Sequence, residues 1–338
     1  MKLASYLKDG QDQLAFYFDG YLFDTDAMHP ELPSSLNMFL TFWDDNYIIG
    51  QAIYKSITEH KISLNHAVAA DDVQLLSPIP FPASCRDAYA FRQHVEAARR
   101  SRNAPMLPEF DQFPVFYFTN HHSVQGAGEI KVMPDHLDML DFELEAAVVI
   151  AKPGRNIRAE EADEYIAGIM IMNDMSARRL QMEEMRLNLG PAKGKDFCTV
   201  FGPCLVTLDE LEEFETEPQK GHTGKNWSLP MRCTINGVEV SSGNLGDMEW
   251  TFAEIIERCS YGADLHAGDV IGSGTVGTGC FLELNATAKQ ENPGYQEQWL
   301  KEGDIIEMEI DCLGILQNNI VKEEDDFSLL ALKKNTGV

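Results

Sequence analysis

The residues of this chain best placed by type and spacing to do chemistry are carboxylates. Asp141-Phe142-Glu143-Leu144-Glu145 runs straight into the apolar stretch Ala146–Ile150. Side chains of a strand alternate, so Glu143 and Glu145 share one face while Phe142 and Leu144 point into a core on the other. Two carboxylates this close beside a buried sheet repel each other, so either one is protonated or a cation lies between them. The plain alternative is a solvated edge strand, because acidic residues are mostly exposed. A third carboxylate, Asp174, closes the apolar run YIAGIMIMND (165–174). Its plain alternative is an ordinary cap before the helix SARRLQMEEMRL, in which Ser176 suits the N-cap. Arg178 and Gln181 follow Asp174 at helical spacing and could line one face with it. Asp87 and His94 stand two helical turns apart if RDAYAFRQHVEAARR is a helix. A lone histidine on a helix is usually structural or exposed, but one aligned with a carboxylate in a pocket can be a general base. An all-oxygen carboxylate site suits Mg²⁺, Mn²⁺ or Ca²⁺ rather than zinc or copper.

These side chains need elements to hold them. LASYL, LAFYF and YLF read as short strands separated by turns at Asp9-Gly10 and Asp19-Gly20. Residues 34–60 read as helical. We expect a small N-terminal domain over residues 1–75 and a catalytic domain over 76–332. The proline-rich LLSPIPFPAS (75–84) would be the linker or rigid entry between them. Beyond it, strands are expected at 141–150, 165–174, 304–311 and in the hairpin around Asn236-Gly237, with a helix at 250–260. DVIGSGTVG and CFLELNATA read as further strands, and the last residues, KKNTGV, as a frayed end.

The chain has 338 residues, 54 acidic against 27 basic, and a formal net charge of -27. Such a field repels phosphate backbones and anionic lipid, so nucleic acid and membrane surfaces are not expected partners. An anionic substrate would need local cations to overcome it. No stretch is long and apolar enough to span a bilayer, and MKLASYLKDG lacks a signal-peptide core, so cytoplasmic residence is the expectation. The seven cysteines are scattered without a C-x-x-C pair, which favours buried reduced thiols over disulfides or a zinc cluster.

Gly272, Gly274 and Gly277 spell G-x-G-x-x-G after a strand. A dinucleotide site needs a helix next, and here TGCFLELNA reads as another strand. The glycines are better read as permitting close approach of backbone to a ligand or a neighbouring strand.

Taken in order, six segments resemble the fumarylacetoacetate hydrolase superfamily. RDAYAFRQH resembles its D-x-Y-x-x-R-Q-H segment, LDFELEAAVVI its strand with two metal-binding glutamates, and MNDMSARRLQ its N-D-x-S-A-R-x-x-Q segment. GKDFCTVFGP resembles its lysine loop, and LHAGDVIGSGT and GCFLELN its closing motifs. The resemblance implies an α+β, β-rich fold, a mixed β-sandwich roll behind a small N-terminal β domain, and a homodimer. It implies Asp87, Glu143, Glu145 and Asp174 as ligands of Mg²⁺ (or Mn²⁺ or Ca²⁺). It implies His94 as the base that activates water, Glu283 as its orienting partner, and Lys195, Arg178 and Gln181 as stabilisers of developing charge. Tyr89, Thr199 and Thr275, with Arg178 and Gln181, match substrate-contacting positions.

The implied activity is hydrolysis of a carbon–carbon bond in a β-diketo acid, foremost fumarylacetoacetate in aromatic amino-acid breakdown. Acylpyruvate hydrolysis, oxaloacetate decarboxylation and hydroxydienoate isomerisation are the alternatives within the superfamily, and a non-catalytic metal- or ligand-binding protein the alternative outside it. The chain departs from the fumarylacetoacetate-cleaving members at the substrate tail. Met185 falls near a family tyrosine, FTNHHSVQG (118–126) matches the tyrosine-bearing loop poorly, and Arg99, Arg100 and Arg102 compete for one family arginine.

Overall fold

The protein is described by a computed structural model over residues 1–100 and 104–332. Arg102 and the terminal KKNTGV lie outside the described residues. The main sheet is built from β1 (Lys2–Lys8), β2 (Gln11–Phe18), β3 (Tyr21–Asp24), β4 (Val68–Ala69), β5 (Ser84–Ala88), β6 (Phe116–Thr119), β7 (Leu144–Ile150), β8 (Ile166–Asp174), β9 (Thr199–Val206) and β10 (Asp269–Gly272). Their order across the sheet is β4-β3-β2-β1-β9-β8-β7-β10-β5-β6, and a short strand, Val124–Gln125, pairs in parallel with β9. All neighbours along that order are antiparallel except β10 and β5. Helices α1 (Trp43–Thr58), α2 (Arg92–Arg100), α3 (Arg178–Met185) and α4 (Phe281–Glu291) stand around it.

Three layers result. One face of the main sheet shares a core with a second, five-stranded sheet that includes Pro230–Ile235, Ile305–Ile310 and Gly314–Lys322. The other face packs on the N-terminal helices through Phe39, Tyr54 and Ile57. β7 shows why its sequence is continuously apolar. Leu144, Ala146, Val148 and Ile150 enter the first core, and Ala147 and Val149 enter the second. Each fully buried Val, Leu or Ile contributes about 1.5–3 kcal/mol relative to an exposed one. The fold is α+β with several sheets, the mixed sandwich that the resemblance implies.

Residues 1–75 join this sheet directly. β1 pairs with β9 through Leu3 opposite Leu205, so the sheet continues from the N-terminal strands into the later ones. The turns at Asp9-Gly10 and Asp19-Gly20 have positive φ at both central residues, as two-residue hairpins require. The cysteines are all free thiols, six of them buried. No helix among the described residues is long and apolar enough to cross a membrane.

Three local expectations fail. CFLELNATA is the helix α4, not a strand, although its buried residues Phe281, Glu283 and Asn285 alternate as in a strand. Asp141 decides it. Its carboxylate accepts from the backbone N–H of Phe281 at 2.7 Å and of Leu282 at 3.0 Å, which anchors the helix start. Asp87 and His94 do not share a helix, because Asp87 belongs to β5 and α2 begins only at Arg92. Ser176 is not an N-cap. It sits in a two-residue strand, and its hydroxyl donates to the Asp174 carbonyl at 3.0 Å.

A helix therefore does follow G-x-G-x-x-G, yet its first N–H groups are occupied by Asp141 and cannot cradle a phosphate. The glycines serve packing. A Cβ on Gly272 would lie 2.5 Å from Asp87 Oδ1, and one on Gly274 (φ +80) would lie 2.7 Å from the Ala88 carbonyl oxygen. We predict that Gly274→Ala destabilises the fold by about 2–4 kcal/mol in chemical denaturation, from positive-φ strain plus overpacking. A loss under about 0.5 kcal/mol, the range of an ordinary surface change, would contradict that close approach.

Candidate metal centre and its cleft

Strand register assembles the carboxylates. On β8 and β7, Met172 stands opposite Glu145, and the Asp174 N–H donates to the Glu143 carbonyl at 3.3 Å. Asp174 and Glu143 thus meet at the strand ends, with Glu145 two residues further along the same face. On the other side, β10 separates β7 from β5, and its Gly272 is opposite both Ala147 and Asp87. With no side chain at Gly272, Asp87 reaches across to Glu145. One oxygen from each of Asp87, Glu143, Glu145 and Asp174 lies within 4.8 Å of the others, and all four residues are buried.

Cations and hydroxyls surround this group from one side. Lys195 Nζ donates to Asp174 Oδ2 at 2.7 Å and also to Glu143 Oε2. Arg178 donates to Asp141 Oδ2 at 2.8 Å, to Glu143 Oε1 at 2.7 Å and to Gln181 Oε1 at 3.0 Å. The Tyr117 hydroxyl donates to Asp174 Oδ2 at 2.5 Å, the Thr275 hydroxyl to Glu145 Oε1 at 3.2 Å, and the Gly274 N–H to Asp87 Oδ1 at 3.1 Å. Glu145 Oε2 and Asp174 Oδ1 are buried without a hydrogen-bond partner among the described residues. Counting Asp141, five carboxylates face two cations, so the cluster carries a formal charge of -3. The two orphaned oxygens, the all-oxygen donor set and the excess charge fit a hard divalent cation.

Burial and charge set the protonation. Burial, then the charge of Asp174, pushes Asp87 up to about 8. Burial and the adjacent Asp87 raise Glu145 well above the usual carboxylate range. Burial also raises Asp174, against the pull of Lys195. Burial alone would raise Glu143, but Lys195 and Arg178 outweigh it and hold it near 2.

His94, close enough for its charge to act on Glu143, lines with Glu283 a cleft of about 580 Å³. His94 Nδ1 and Glu283 Oε2 are 2.7 Å apart and both residues are buried. Tyr89 meets the His94 ring edge-on with centroids 5.7 Å apart. Thr199 is the register partner of Asp174 and Thr275 contacts Glu145, so both stand at the carboxylate end. Gln181 holds Arg178, whereas Asp174 belongs to the preceding strand and not to their helix face. Met185 lines the cleft. Asn120, in the poorly matching loop, does not line it. Its amide donates to Ser123 Oγ and the Asp196 carbonyl, pinning the loop that carries Lys195. Arg99 donates to the Pro105 carbonyl, and Arg100 lines a neighbouring cleft with Arg92 and Glu96 that shares Glu283 with the first.

Two residues of the site escaped sequence reasoning. Asp141 ties Arg178 to the start of α4, which carries Glu283. The available signal was its place at the mouth of a fully apolar strand. Tyr117 sits on β6, just before the loop expected to carry a tyrosine, and only the pairing of β6 with β5 (Tyr117 opposite Asp87) brings it to Asp174.

Buried carboxylates at the strand ends of a mixed sheet, with a paired histidine on the wall of an open cleft, form a candidate centre for a hard cation. Residues 84–321 match the fumarylacetoacetate (FAA) hydrolase C-terminal family, and the chain belongs to that family. It is 28% identical over 305 residues to a mitochondrial oxaloacetate tautomerase of Xenopus laevis, covering 89% of this chain and 83% of that one. It is 31% identical over 250 residues to an oxaloacetate tautomerase of Bacillus subtilis, covering 74% and 73%. It is 29% identical over 297 residues to a fumarylacetoacetase of Oryza sativa subsp. japonica, covering 73% and 68%. A fumarylacetoacetate hydrolase from Exiguobacterium antarcticum superposes with TM-score 0.67 at 24% identity, over 96% of this chain and 100% of that one. A Sphingobium maleylpyruvate hydrolase, solved with manganese(II) and pyruvate, superposes with TM-score 0.68 at 18% identity and the same coverage.

The raised carboxyls bind protons in the folded state that the unfolded chain has released. Their stabilisation is complete below the ordinary carboxylate range and is lost as pH rises through about 8, the value for Asp87. We therefore predict that the metal-free protein melts at progressively lower temperature from about pH 5 to about pH 9, and that saturating Mg²⁺ or Mn²⁺ flattens the slope. Glu145→Gln should stabilise the metal-free form at pH 8 and weaken metal binding by at least about 10–100-fold in calorimetry. A flat metal-free profile would contradict the burial of excess negative charge.

Proposed function

We propose that the chain is a divalent-metal-dependent hydrolase that cleaves a carbon–carbon bond of a β-diketo acid, with fumarylacetoacetate as the leading substrate and fumarate and acetoacetate as products. The observation that carries this reading is the buried His94–Glu283 pair at 2.7 Å on the wall of the cleft, with His94 close enough for its charge to act on Glu143 of the four clustered carboxylates. A hard cation held by Asp87, Glu143, Glu145 and Asp174 supplies Lewis-acid polarisation of the carbonyl under attack and charge to hold the departing enolate.

The chain's own residues do the rest. With His94 Nδ1–H donating to Glu283, Nε2 is left to take a proton from water. The hydroxide adds to one carbonyl carbon. The bond to the carbon between the two carbonyls then breaks, and its electron pair leaves as the enolate of the ketone. The proton held on His94 passes to that carbon, giving an acid and a ketone. Lys195, Arg178 and Gln181 counter negative charge at the carboxylate end. Tyr89, Thr199 and Thr275 complete the substrate's surroundings there. The proposal includes a catalytic domain over 76–332, supported by a family match that begins at residue 84, and a homodimer, drawn from the family resemblance.

A second reading is supported by the relatives in Xenopus and Bacillus, both oxaloacetate tautomerases. Moving a proton between carbon and enol oxygen would use the same base and the same charge stabilisation without water attack. The two readings part on the products. Metal-loaded protein should abolish the ultraviolet absorbance of the diketone and release two acids, identified by chromatography. His94→Ala should lower kcat by about 10²–10⁴-fold while metal affinity stays within about twofold. Enolisation without cleavage would replace hydrolysis by the tautomerase reading, and unchanged turnover in His94→Ala would sink both.

A further inference from the structure

The substrate of such an enzyme is anionic, and the chain carries a net charge of -27, so each end of the substrate needs a cation. At the carboxylate end, Lys195 and Arg178 are each shared between two carboxylates and buried. The arginines expected for the tail do not reach the cleft among the described residues. Arg99 is bound to a backbone carbonyl, and Arg100 lines a neighbouring cavity that meets this cleft only at Glu283. Arg92 is paired with Glu249 and Asp111, and Arg179 with Asp138 and Glu183.

Arg186 is different. It follows α3 directly and lines the same 580 Å³ cleft as His94 and Glu283, with Asn188 beside it. Among the described residues it has no carboxylate partner. Its nearest acids in sequence are engaged elsewhere, Glu183 with Arg179 and Glu184 with the Lys193 N–H. In a chain with twice as many acids as bases, an arginine left unpaired at the wall of a catalytic cleft is available to a ligand. Apart from Arg186, Asn188, His94 and Glu283 the cleft is lined by apolar residues, among them Met182, Met185, Leu282 and Ala286. Met185 falls near a tyrosine of the fumarylacetoacetate-cleaving members, and Arg186, the next residue, puts a polar group on the same wall of the cleft.

We infer that Arg186, assisted by Asn188, binds the distal carboxylate of the substrate while the methionine-lined wall takes its carbon chain. This rests on the hydrolase reading and deepens it. The substrate is then a diketo acid with a carboxylate at each end and more than four carbons. A cleft of about 580 Å³ falls in the range of about 300–1,000 Å³ that holds small-molecule ligands much larger than a four-carbon acid. Guanidinium–carboxylate pairing is bidentate and directional, so arginine and lysine are not equivalent here.

The test compares fumarylacetoacetate with the same molecule methylated on its fumaryl carboxylate, using Mn²⁺-loaded full-length protein. The wild type should prefer the free acid by about tenfold or more in kcat/KM, expressed mainly in KM. Arg186→Gln should erase the preference by weakening only the free acid. Arg186→Lys should keep part of it, and raising ionic strength to about 0.5 M should narrow it, because the pair is partly solvated. Calorimetric titration with non-cleavable phosphinyl analogues, tail free or methylated, gives the same comparison without turnover. If neither diketone is cleaved but the free-tail analogue binds about tenfold tighter through Arg186, the hydrolase reading falls and the tail subsite stands. If both diketones are cleaved equally, or Arg186→Gln weakens both analogues alike, the tail subsite falls and the hydrolase reading stands.

Discussion

Everything in this molecule depends on keeping four carboxylates together where they repel one another. At the 4.8 Å limit of their oxygens, two unit charges cost at least about 3 kcal/mol at an effective dielectric near 20, and there are several such pairs. Nothing local holds them, since they come from β5, β7 and β8 and the turn before β7. The restraint is the sheet. β7 and β8 are buried on both faces, so neither can tilt away to relieve the repulsion without opening a core. Lys195 and Arg178 offset part of the charge from one side, and the orphaned oxygens of Glu145 and Asp174 mark the charge left for a cation.

How much of this could be read from the sequence follows from how local each signal is. The DFELE alternation is local, and the structure places Glu143 and Glu145 on one face with Phe142 and Leu144 on the other, in the first core. The Asp-Gly hairpins, the strands at 144–150 and 166–174, and the hairpin at Asn236-Gly237 are equally local and lie where expected. What misled were segments whose form is imposed from outside. Phe281–Asn285 has the alternation of a strand, but the Asp141 carboxylate, 140 residues earlier, seizes its first N–H groups and makes it a helix. Asp87 and His94 have helical spacing, yet a strand carries the first and a helix the second, so that spacing aligns nothing. Tyr117 left no readable signal, because its role exists only through the pairing of β6 with β5.

The site has two ends built in different ways. The carboxylate end is buried, redundant in hydrogen bonds and fixed by sheet register. The cleft end is bounded by α2, α3, α4 and the turn after α3, where Met182 and Met185 are about 40% exposed and Leu187 and Leu189 far more so. Chemistry shared by a family belongs at the first end, where substitution disturbs a core. Substrate choice belongs at the second, where helices and a turn can vary without moving a strand. The departures from the family pattern at Met185 and in the loop around Asn120 both fall outside the carboxylate cluster, as this division requires.

Register gives the centre an arithmetic of odd and even. Glu143, Glu145, Ala147 and Val149 face one way and Leu144, Ala146, Val148 and Ile150 the other, so a shift of β7 by one residue would exchange the two sets completely. Leu144 would then stand among the acids and Glu145 would enter the hydrocarbon core. A shift by two would restore the facing but would carry Glu143 and Glu145 a full pair away from Asp174 and Asp87. Evolution can therefore lengthen or shorten the turns flanking this strand in steps of any size, but the strand itself only in pairs.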